Sequence, residues 1–333
     1  MTIISITNVT DMMMAQHFLL SAAARTLSLG KVMRMTDSAA YEAFKAIRWA
    51  DNGGEPYCPK CGCVAVYTYE ARRIFKCKGC ESQFSVTSGT IFASRKLPIR
   101  DILAAIAIFT NGAKGYPALQ LSRDLDVQYK TAFVLFHKLR EAMASVKDTS
   151  PLQGEVEVDG AYFGGYVKPA NEAENRIDRR KAENQTGKRQ VVVVMRERQG
   201  RALPFVVKRE AQGVAIVRQF VSANATVHAD EAPHWDALGI KFKTMRINHQ
   251  EAYSLDGACT NMAESFFSRI RRCEMGIHHH IAGKYLDSYA HEMAWRENNR
   301  RVSNGEQFLA ITGAALEHPV SRQWKGYWQR KAA

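Results

Sequence analysis

The chain has 333 residues, about the length of two ordinary domains. Lys and Arg number 46 against 33 Asp and Glu, so the formal net charge is +13. With 46% hydrophobic and 10% aromatic residues, the composition excludes a disordered or collagen-like chain. The positive excess predicts attraction to polyanions, with nucleic acid favoured over a membrane surface.

The first 35 residues carry no recognisable motif. The most apolar early stretch, Met12 to Ala24, is too short to cross a bilayer, and no Lys or Arg precedes Arg25. We therefore expect neither a membrane span nor a secretory signal, and we expect a soluble cytoplasmic protein. Residues 1–35 are expected to form a weakly structured leader of unassigned function.

Four of the seven cysteines form two close pairs. Cys58 and Cys61 make one Cys-x-x-Cys motif, and Cys77 and Cys80 make the second after 15 intervening residues. A secreted disulfide scaffold would spread its cysteines along the chain, whereas this clustering favours tetrahedral zinc held by four thiolates. Because four cysteines leave no open coordination position, we expect the zinc to be structural.

The residues around these pairs predict a small sheet. Its strands are expected at 64–69, 74–75 and 84–86. Gly62 and Gly79 lie at or beside the knuckles, where a positive φ costs glycine little. The pattern predicts a zinc ribbon with a preceding helix over 36–95.

Residues 96–148 predict three helices. The first runs from 98 to 111, the second starts at Pro117, and the third begins near Gln128. The last two are joined by a short turn at Asp126, a residue type that tolerates the left-handed conformation, and so form a helix-turn-helix pattern. In such a motif the second helix enters the major groove with its first residues at base edges.

This placement predicts DNA contacts. The candidates are Gln128, Tyr129 and Lys130 at base edges, and Arg123, Lys138 and Arg140 at phosphates. A small helical bundle without DNA binding would give a similar pattern. The adjacent zinc ribbon and the charge of +13 favour DNA binding.

From residue 155 onwards the pattern changes to strands. Strands are expected at 155–159, 191–194, 203–207, 226–230 and 242–247, with helices at 211–221, after 233 and from 260. This is the element order of a ribonuclease-H-like domain, here 152–305, in which the first and fourth strands are neighbours. Thr260 is expected to cap the last of these helices. The polar segment 168–189 is expected to be a loop, either a solvated linker or a DNA contact.

Three acids are expected to meet at one edge of that sheet. Asp159 lies on the first strand, Asp230 ends the fourth, and Glu264 lies on the helix after the fifth. Converging carboxylates are costly unless cations neutralise them, and hard oxygen ligands suit Mg²⁺ or Mn²⁺. Two such ions promote phosphodiester displacement. Taken singly, each acid is more often a surface charge or a salt-bridge partner.

Several stretches carry a resemblance to a known family. They are 158–165, 227–231 and 260–272, together with the Cys-Pro-x-Cys-Gly knuckle at 58–62 and the strings 129–132 and 138–140. In order and content they resemble bacterial insertion-sequence transposases with an N-terminal zinc ribbon and a DDE-type catalytic domain. The resemblance covers about 36 to 300. It implies binding of terminal inverted repeats, metal-dependent cleavage and strand transfer, a nucleoid-associated protein, and a homo-oligomer that brings two DNA ends together.

The resemblance also implies residue roles. Asp159 and Asp230 match the first two catalytic acids. The third position in relatives is Glu or Asn, and both Glu264 and Asn261 lie on one face of the same helix. We prefer Glu264 because a carboxylate is the better magnesium ligand. Arg271 matches a position that is often basic in relatives and is expected to hold a DNA phosphate.

The expected fold is therefore an α/β multidomain protein: a zinc ribbon, a helix-turn-helix region, a ribonuclease-H-like mixed sheet with helices, and a C-terminal tail over 306–333. Two alternatives to a transposase remain open. A transposase-derived DNA-binding regulator would not need the acids, and a ribonuclease-H-like nuclease would cleave DNA without joining it. A zinc-dependent hydrolase is disfavoured because four cysteines saturate the metal.

Overall fold

The computed structural model describes residues 17–331 except 166, 179–181, 185, 249–253 and 255–256. The predicted polar loop over 168–189 lies partly outside this set. Within the described part of the chain, no helix combines the length and the apolar character needed to cross a membrane.

The N-terminal half is helical apart from one small sheet. Its elements are α1 (Leu29–Met33), α2 (Asp37–Arg48), β1 (Val66–Tyr69), β2 (Ile74–Cys77), β3 (Gln83–Ser85), α3 (Ile99–Asn111), α4 (Ala118–Asp124) and α5 (Tyr129–Ser145). The three predicted helices of the middle region are thereby confirmed. Asp126, between α4 and α5, has a φ of 49°, the left-handed conformation expected of it.

The C-terminal half contains a larger sheet with helices. Its elements are β4 (Glu155–Phe163), β5 (Gln190–Glu197), β6 (Ala202–Val207), α6 (Gly213–Phe220), β7 (Thr226–Asp230), β8 (Lys243–Ile247), α7 (Asn261–Cys273), α8 (Gly283–Asn298), α9 (Asn304–Glu317) and α10 (Tyr327–Lys331). A 3-10 helix at 233–240 separates β7 from β8.

The small sheet has the order β1-β2-β3 and is antiparallel throughout. Its buried aromatics Phe75 and Phe84 lie against Trp49, which follows α2, with ring centroids 5.6 and 6.4 Å away. The predicted ribbon sheet is confirmed. The α2 helix that precedes it begins at a capping threonine, because the Thr36 hydroxyl accepts the amide of Ala39 at 3.1 Å.

The large sheet has the order β6-β5-β4-β7-β8. Strand β4 runs parallel to β7 and β7 parallel to β8, whereas β4-β5 and β5-β6 are antiparallel. The continuous apolar run Val191–Val194 is fully buried, because helices α7 and α8 cover one face of the sheet while α6 and the 3-10 helix cover the other. This is the mixed sheet predicted for a ribonuclease-H-like domain, with β4 and β7 adjacent.

Both ends of the chain depart from the predictions. The backbone amide of Thr26 donates to Asn304 at 2.8 Å, and Val32 is buried in the N-terminal core. Residues 17–35 are therefore structured rather than a loose leader. At the other end, Phe308 and Ile311 of α9 enter the same core, so much of the expected tail is a packed helix.

A buried ionic cluster joins the two halves. Arg140 of α5 donates to Glu292 of α8 at 2.6 Å, and Arg296 donates to the same carboxylate at 2.9 Å. Although burial alone would raise it, the two guanidinium groups lower the pKa of Glu292 to about 2. The prediction that Arg140 contacts DNA phosphates is wrong, because its side chain is only 2% exposed and is committed to this cluster.

Candidate functional sites

The four paired cysteines form a metal-binding group. Their Sγ atoms all lie within 4.8 Å of one another, with Cys58–Cys80 and Cys61–Cys77 both at 3.6 Å. Backbone amides point at the sulfurs, since the N–H groups of Gly79 and Cys80 approach Cys77 Sγ at 3.3 and 3.4 Å. Such donors stabilise thiolate charge. Four sulfurs at this spacing support structural zinc with no open position.

The two knuckles turn in the same way but with different residues. Gly62, directly after Cys61, has a φ of +73°, and Glu81, directly after Cys80, has a φ of +58°. The prediction for Gly62 is confirmed. In the second knuckle the left-handed residue is Glu81 rather than Gly79, whose missing side chain instead leaves room for Cys63, 3.4 Å from where a Cβ would lie.

The acidic edge of the large sheet lies where the pairing of β4 with β7 ends, at the carboxyl end of β7. Val158 pairs with Ala229, so Asp159 and Asp230 come next on two adjacent parallel strands. Asp159 accepts the amide of Gly160 at 2.7 Å and is half-buried.

The charges at this edge interact. Burial, together with the carboxylates of Asp230, Glu210 and Glu264, raises the pKa of Asp159 to about 8 against the opposing effect of the Gly160 amide. Glu264 on α7 is therefore within electrostatic reach of Asp159. Within the described residues the carboxylates do not gather as closely as the cysteines do.

Glu210 is an acid at this edge that sequence reasoning missed. It lies directly over Gly160, where a Cβ would come 2.4 Å from its Oε1 atom. Burial and the neighbouring Asp230 raise its pKa to about 7, against the lowering effect of a hydrogen bond from Tyr162. Nothing in its local pattern marks it, because it lies in a short 3-10 turn after β6.

A second missed residue holds α7 against the sheet. Glu157, two positions before Asp159 and 1% exposed, accepts the backbone amides of Met262 and Ala263 at 2.7 and 3.2 Å. Thr260 occupies the N-cap position, but its side chain makes no capping hydrogen bond. The expected threonine cap is thus replaced by a carboxylate from β4, which also suits the positive end of the helix.

Arg198 completes this support, and it too was missed. Its guanidinium donates to Glu157 at 3.1 Å, to the backbone oxygen of Gly257 at 2.9 Å, and contacts His228 of β7 at 3.2 Å. It thereby ties β4, β7 and the segment before α7 together. His228 is buried among these groups.

Asn261 and Arg271 lie on different sides of α7. Asn261 is exposed and lines a small cavity with Arg196, Ser265 and Arg300. Arg271 is exposed on the side of Glu264, with its guanidinium 6.0 Å from the ring centre of Phe163.

The helix-turn-helix candidates divide into exposed and tethered residues. Those with exposed side chains are Arg123, Gln128, Tyr129 and Lys130. Lys138 is half-buried, and its ammonium donates to the backbone oxygen of Ile91 at 2.8 Å, so it is tied into the fold. The exposed set lies at the start of α5 and at the end of α4, where a DNA duplex can reach it.

Comparison with known families agrees with this layout. Residues 35–83 match the transposase zinc-ribbon domain, and residues 151–298 match the ISXO2-like transposase domain. The zinc-ribbon match precedes the transposase match, in the order of the small sheet and the large sheet. Over these residues the chain is similar to the ISXO2-like transposases. The transposase match contains Asp159, Asp230 and helix α7. The ribbon match contains all four paired cysteines.

One curated relative is an uncharacterized protein in the transposable element ISH50 of Halobacterium salinarum. It is 30% identical over 125 residues, which are 37% of this chain and 40% of that protein. The chain therefore spans less than half the length of this relative. No solved structure matches this chain.

Proposed function

We propose that the protein is the DNA transposase of an insertion sequence, which binds the element's terminal inverted repeats and catalyses metal-dependent cleavage and strand transfer. The observation that carries the proposal is the pairing of parallel strands β4 and β7, which places Asp159 and Asp230 side by side, with Asp159 within electrostatic reach of Glu264. The match to the ISXO2-like transposase domain supports the same reaction class.

The residues at this edge suit a hard divalent cation. Carboxylate oxygens are the ligands that Mg²⁺ and Mn²⁺ prefer, and Asp159, Asp230 and Glu264 would hold the ion. Burial and the neighbouring carboxylates raise the pKa of Asp159 to about 8, and a bound cation would favour its charged form. When bound, the metal supplies Lewis-acid activation of the phosphodiester and of the attacking oxygen.

The chain's other residues position these groups and the DNA. Glu157 and Arg198 hold the start of α7, and with it Glu264, against the sheet. The exposed first turn of α5 and the zinc ribbon bind the inverted repeat.

In the first step water forms a P–O bond as the bond to the element's 3′-oxygen breaks. In the second, the freed 3′-hydroxyl forms a P–O bond with target DNA as one target P–O bond breaks.

A strand-transfer assay tests the proposal. Purified protein, magnesium and a labelled duplex that carries the neighbouring inverted repeat are incubated with a target plasmid. We expect cleaved and joined products, which Asp159→Asn and Asp230→Asn abolish without weakening duplex binding. Binding without cleavage would favour the regulator, and cleavage without joining would favour the nuclease.

The third catalytic position needs a separate comparison. We expect Glu264→Gln to lose cleavage and Asn261→Ala to retain most of it, because Glu264 acts on Asp159 while Asn261 lines a different cavity. Loss confined to the Asn261 variant would reverse the assignment.

A further inference from the structure

Beside α7, on the face adjacent to the one that carries Glu264, three arginines share one carboxylate. Arg196 of β5, Arg269 of α7 and Arg300 after α8 approach Glu297 at 3.1, 2.5 and 2.6 Å. Three guanidinium groups against one carboxylate leave an uncompensated positive charge. We call these four residues the arginine cluster.

The cluster has an unused donor. The side chain of Arg196 is only 4% exposed, and its Nη1 atom has no hydrogen-bond partner among the described residues. A buried guanidinium N–H without an acceptor is costly. Burial and the neighbouring guanidinium groups of Arg300 and Arg269 lower the pKa of Arg196 against the opposing effect of Glu297.

A cavity of about 120 Å³ lies beside this donor. It is lined by Arg196, Arg300, Asn261 and Ser265, by the Glu297 carboxylate that the arginines share, and by Met262 and Phe266. Arg196 and Arg300 supply charge to it, and Ser265 and Asn261 supply neutral hydrogen-bonding groups. This donor-rich lining fits an anion with several acceptor oxygens, which guanidinium groups bind through paired hydrogen bonds.

Two larger clefts share residues with the cluster. Arg269 also lines a cleft of about 390 Å³ with Lys114 and Arg272. Arg300 also lines a cleft of about 750 Å³ with Arg25 and Arg301. Positively charged side chains therefore line both neighbouring clefts as well as the cavity, which suits the binding of successive phosphates.

We propose that the arginine cluster is a binding site for a phosphate group of the DNA backbone, and that the two clefts hold the neighbouring phosphates. This inference rests on the proposed function, because it takes DNA as the polyanion. The site lies on the face of α7 adjacent to the one that carries Glu264. A phosphate held there would fix the register of a strand relative to the catalytic acids without reading its sequence.

Duplex binding tests the site through the double variant Arg269→Gln/Arg300→Gln. Both side chains are partly exposed, at 38% and 45%, and the Arg196–Glu297 pair remains. We expect binding of the inverted-repeat duplex, measured by fluorescence anisotropy without added divalent metal, to weaken about tenfold or more. The slope of log K against log[salt] should become shallower by about 1 to 2.

A matched control removes the same charge elsewhere. Lys241→Gln/Lys243→Gln lies at the end of β8 opposite to Ile247, which pairs with Asp230. We expect this pair to change affinity far less than the cluster variant. Equal losses in both variants would mean that only overall charge matters and would overturn the site.

A second variant guards against loss of folding. Ser265→Asp adds a carboxylate at the cavity while every ion pair stays in place, and Ser265 is exposed on α7. We expect weakened duplex binding at an unchanged melting temperature. Unchanged affinity in both Ser265→Asp and the double variant would overturn the proposal.

Inorganic phosphate distinguishes the source of the phosphate group. We expect phosphate, compared with chloride at equal ionic strength, to raise the melting temperature of the wild type but not of the double variant. If that difference appears while duplex binding is unchanged, the DNA assignment is overturned in favour of free phosphate. A wild-type chain that binds no duplex at all would instead contradict the proposed function.

Discussion

The zinc ribbon and the acidic edge are built in opposite ways. The ribbon gathers four ligands from the short stretch between Cys58 and Cys80, so local turns determine its geometry. The acidic edge takes Asp159, Asp230 and Glu264 from three elements that only the sheet topology brings together. A site of the first kind can be predicted from spacing, whereas a site of the second kind needs the fold and the residues that support it.

The two sites also differ in how their charge is balanced. In the ribbon, backbone amides approach the sulfurs and four thiolates match one zinc ion. At the acidic edge, burial and the neighbouring carboxylates together raise the pKa values of Asp159 and Glu210, so the described residues supply no opposite charge that balances these acids. We therefore expect metal loss to unfold the ribbon but to relax the catalytic sheet only locally.

Removing one zinc ligand should have the largest effect. We expect Cys77→Ser to unfold the ribbon, because structural zinc binding contributes on the order of 10 kcal/mol to such modules. Zinc content per chain and protease cleavage within 58–85 measure it. Cys63→Ser, outside the ligand group, serves as the control and should keep its zinc. A fully folded ribbon in Cys77→Ser would show that the ribbon does not depend on its zinc, contrary to the expected difference between the two sites.

The buried cluster that joins the two regions should give the next largest effect. We expect Glu292→Gln to cost about 3–5 kcal/mol of unfolding free energy, because it leaves Arg140 and Arg296 buried without their counter-charge. Urea denaturation measures the loss, with exposed Glu317→Gln as the control. Because the folded pKa of Glu292 is depressed to about 2, this stabilisation is present above pH 4.5 and is lost as the pH falls towards 2. An unfolding free energy equal to the control would show that Glu292 does not connect the two halves.

Much of the fold could be predicted because its signals are local. The apolar run Val191–Val194 indicates a strand buried on both faces, and the alternation from Glu155 indicates β4. The cysteine pairs and the left-handed Asp126 are likewise readable from a few neighbouring residues.

The errors arise from partners far along the chain. Arg140 was expected at the surface, and it is buried only because Glu292, 152 positions later, neutralises it. Leu27 is ordered by Asn304, 277 positions away. Glu157 caps α7 across 105 positions. No local pattern carries these pairings, so Glu157 and Arg198 could not be predicted as supports of the acidic edge, and Glu210 could not be predicted as an acid there.

Weakening the support of α7 should have a smaller effect that is specific to the acidic edge. We expect Glu157→Gln to cost about 1–3 kcal/mol, because it loses charge-assisted bonds to the amides of Met262 and Ala263. Faster hydrogen exchange at the first turn of α7 reports the loss directly. The control is Glu155→Gln, whose exposed carboxylate contacts Arg198 but not the helix. Unchanged hydrogen exchange in the first turn of α7 would show that Glu157 does not position this helix.

The smallest effect has the opposite sign and separates catalysis from stability. The folded pKa of Asp159 is raised to about 8 from an ordinary 3.8, so between these pH values the unfolded chain binds fewer protons than the native one. The free energy of unfolding must then fall as the pH rises through that window. Without divalent metal, Asp159→Asn should therefore stabilise the protein at pH 8 by on the order of 1–2 kcal/mol after solvent screening, and by nothing near pH 4.

Calorimetric melting temperatures of the wild type and Asp159→Asn across this range measure the effect, and added magnesium provides the internal control. Magnesium should raise the wild-type melting temperature at pH 8 and raise that of the variant less, because the variant lacks one carboxylate ligand. Substitution of a cysteine ligand of the ribbon cannot stabilise the protein in this way, because it only lowers the free energy of unfolding. A variant less stable than the wild type at pH 8 would mean that favourable contacts stabilise the Asp159 carboxylate. The ribbon and the acidic edge would then not differ in how their charge is balanced.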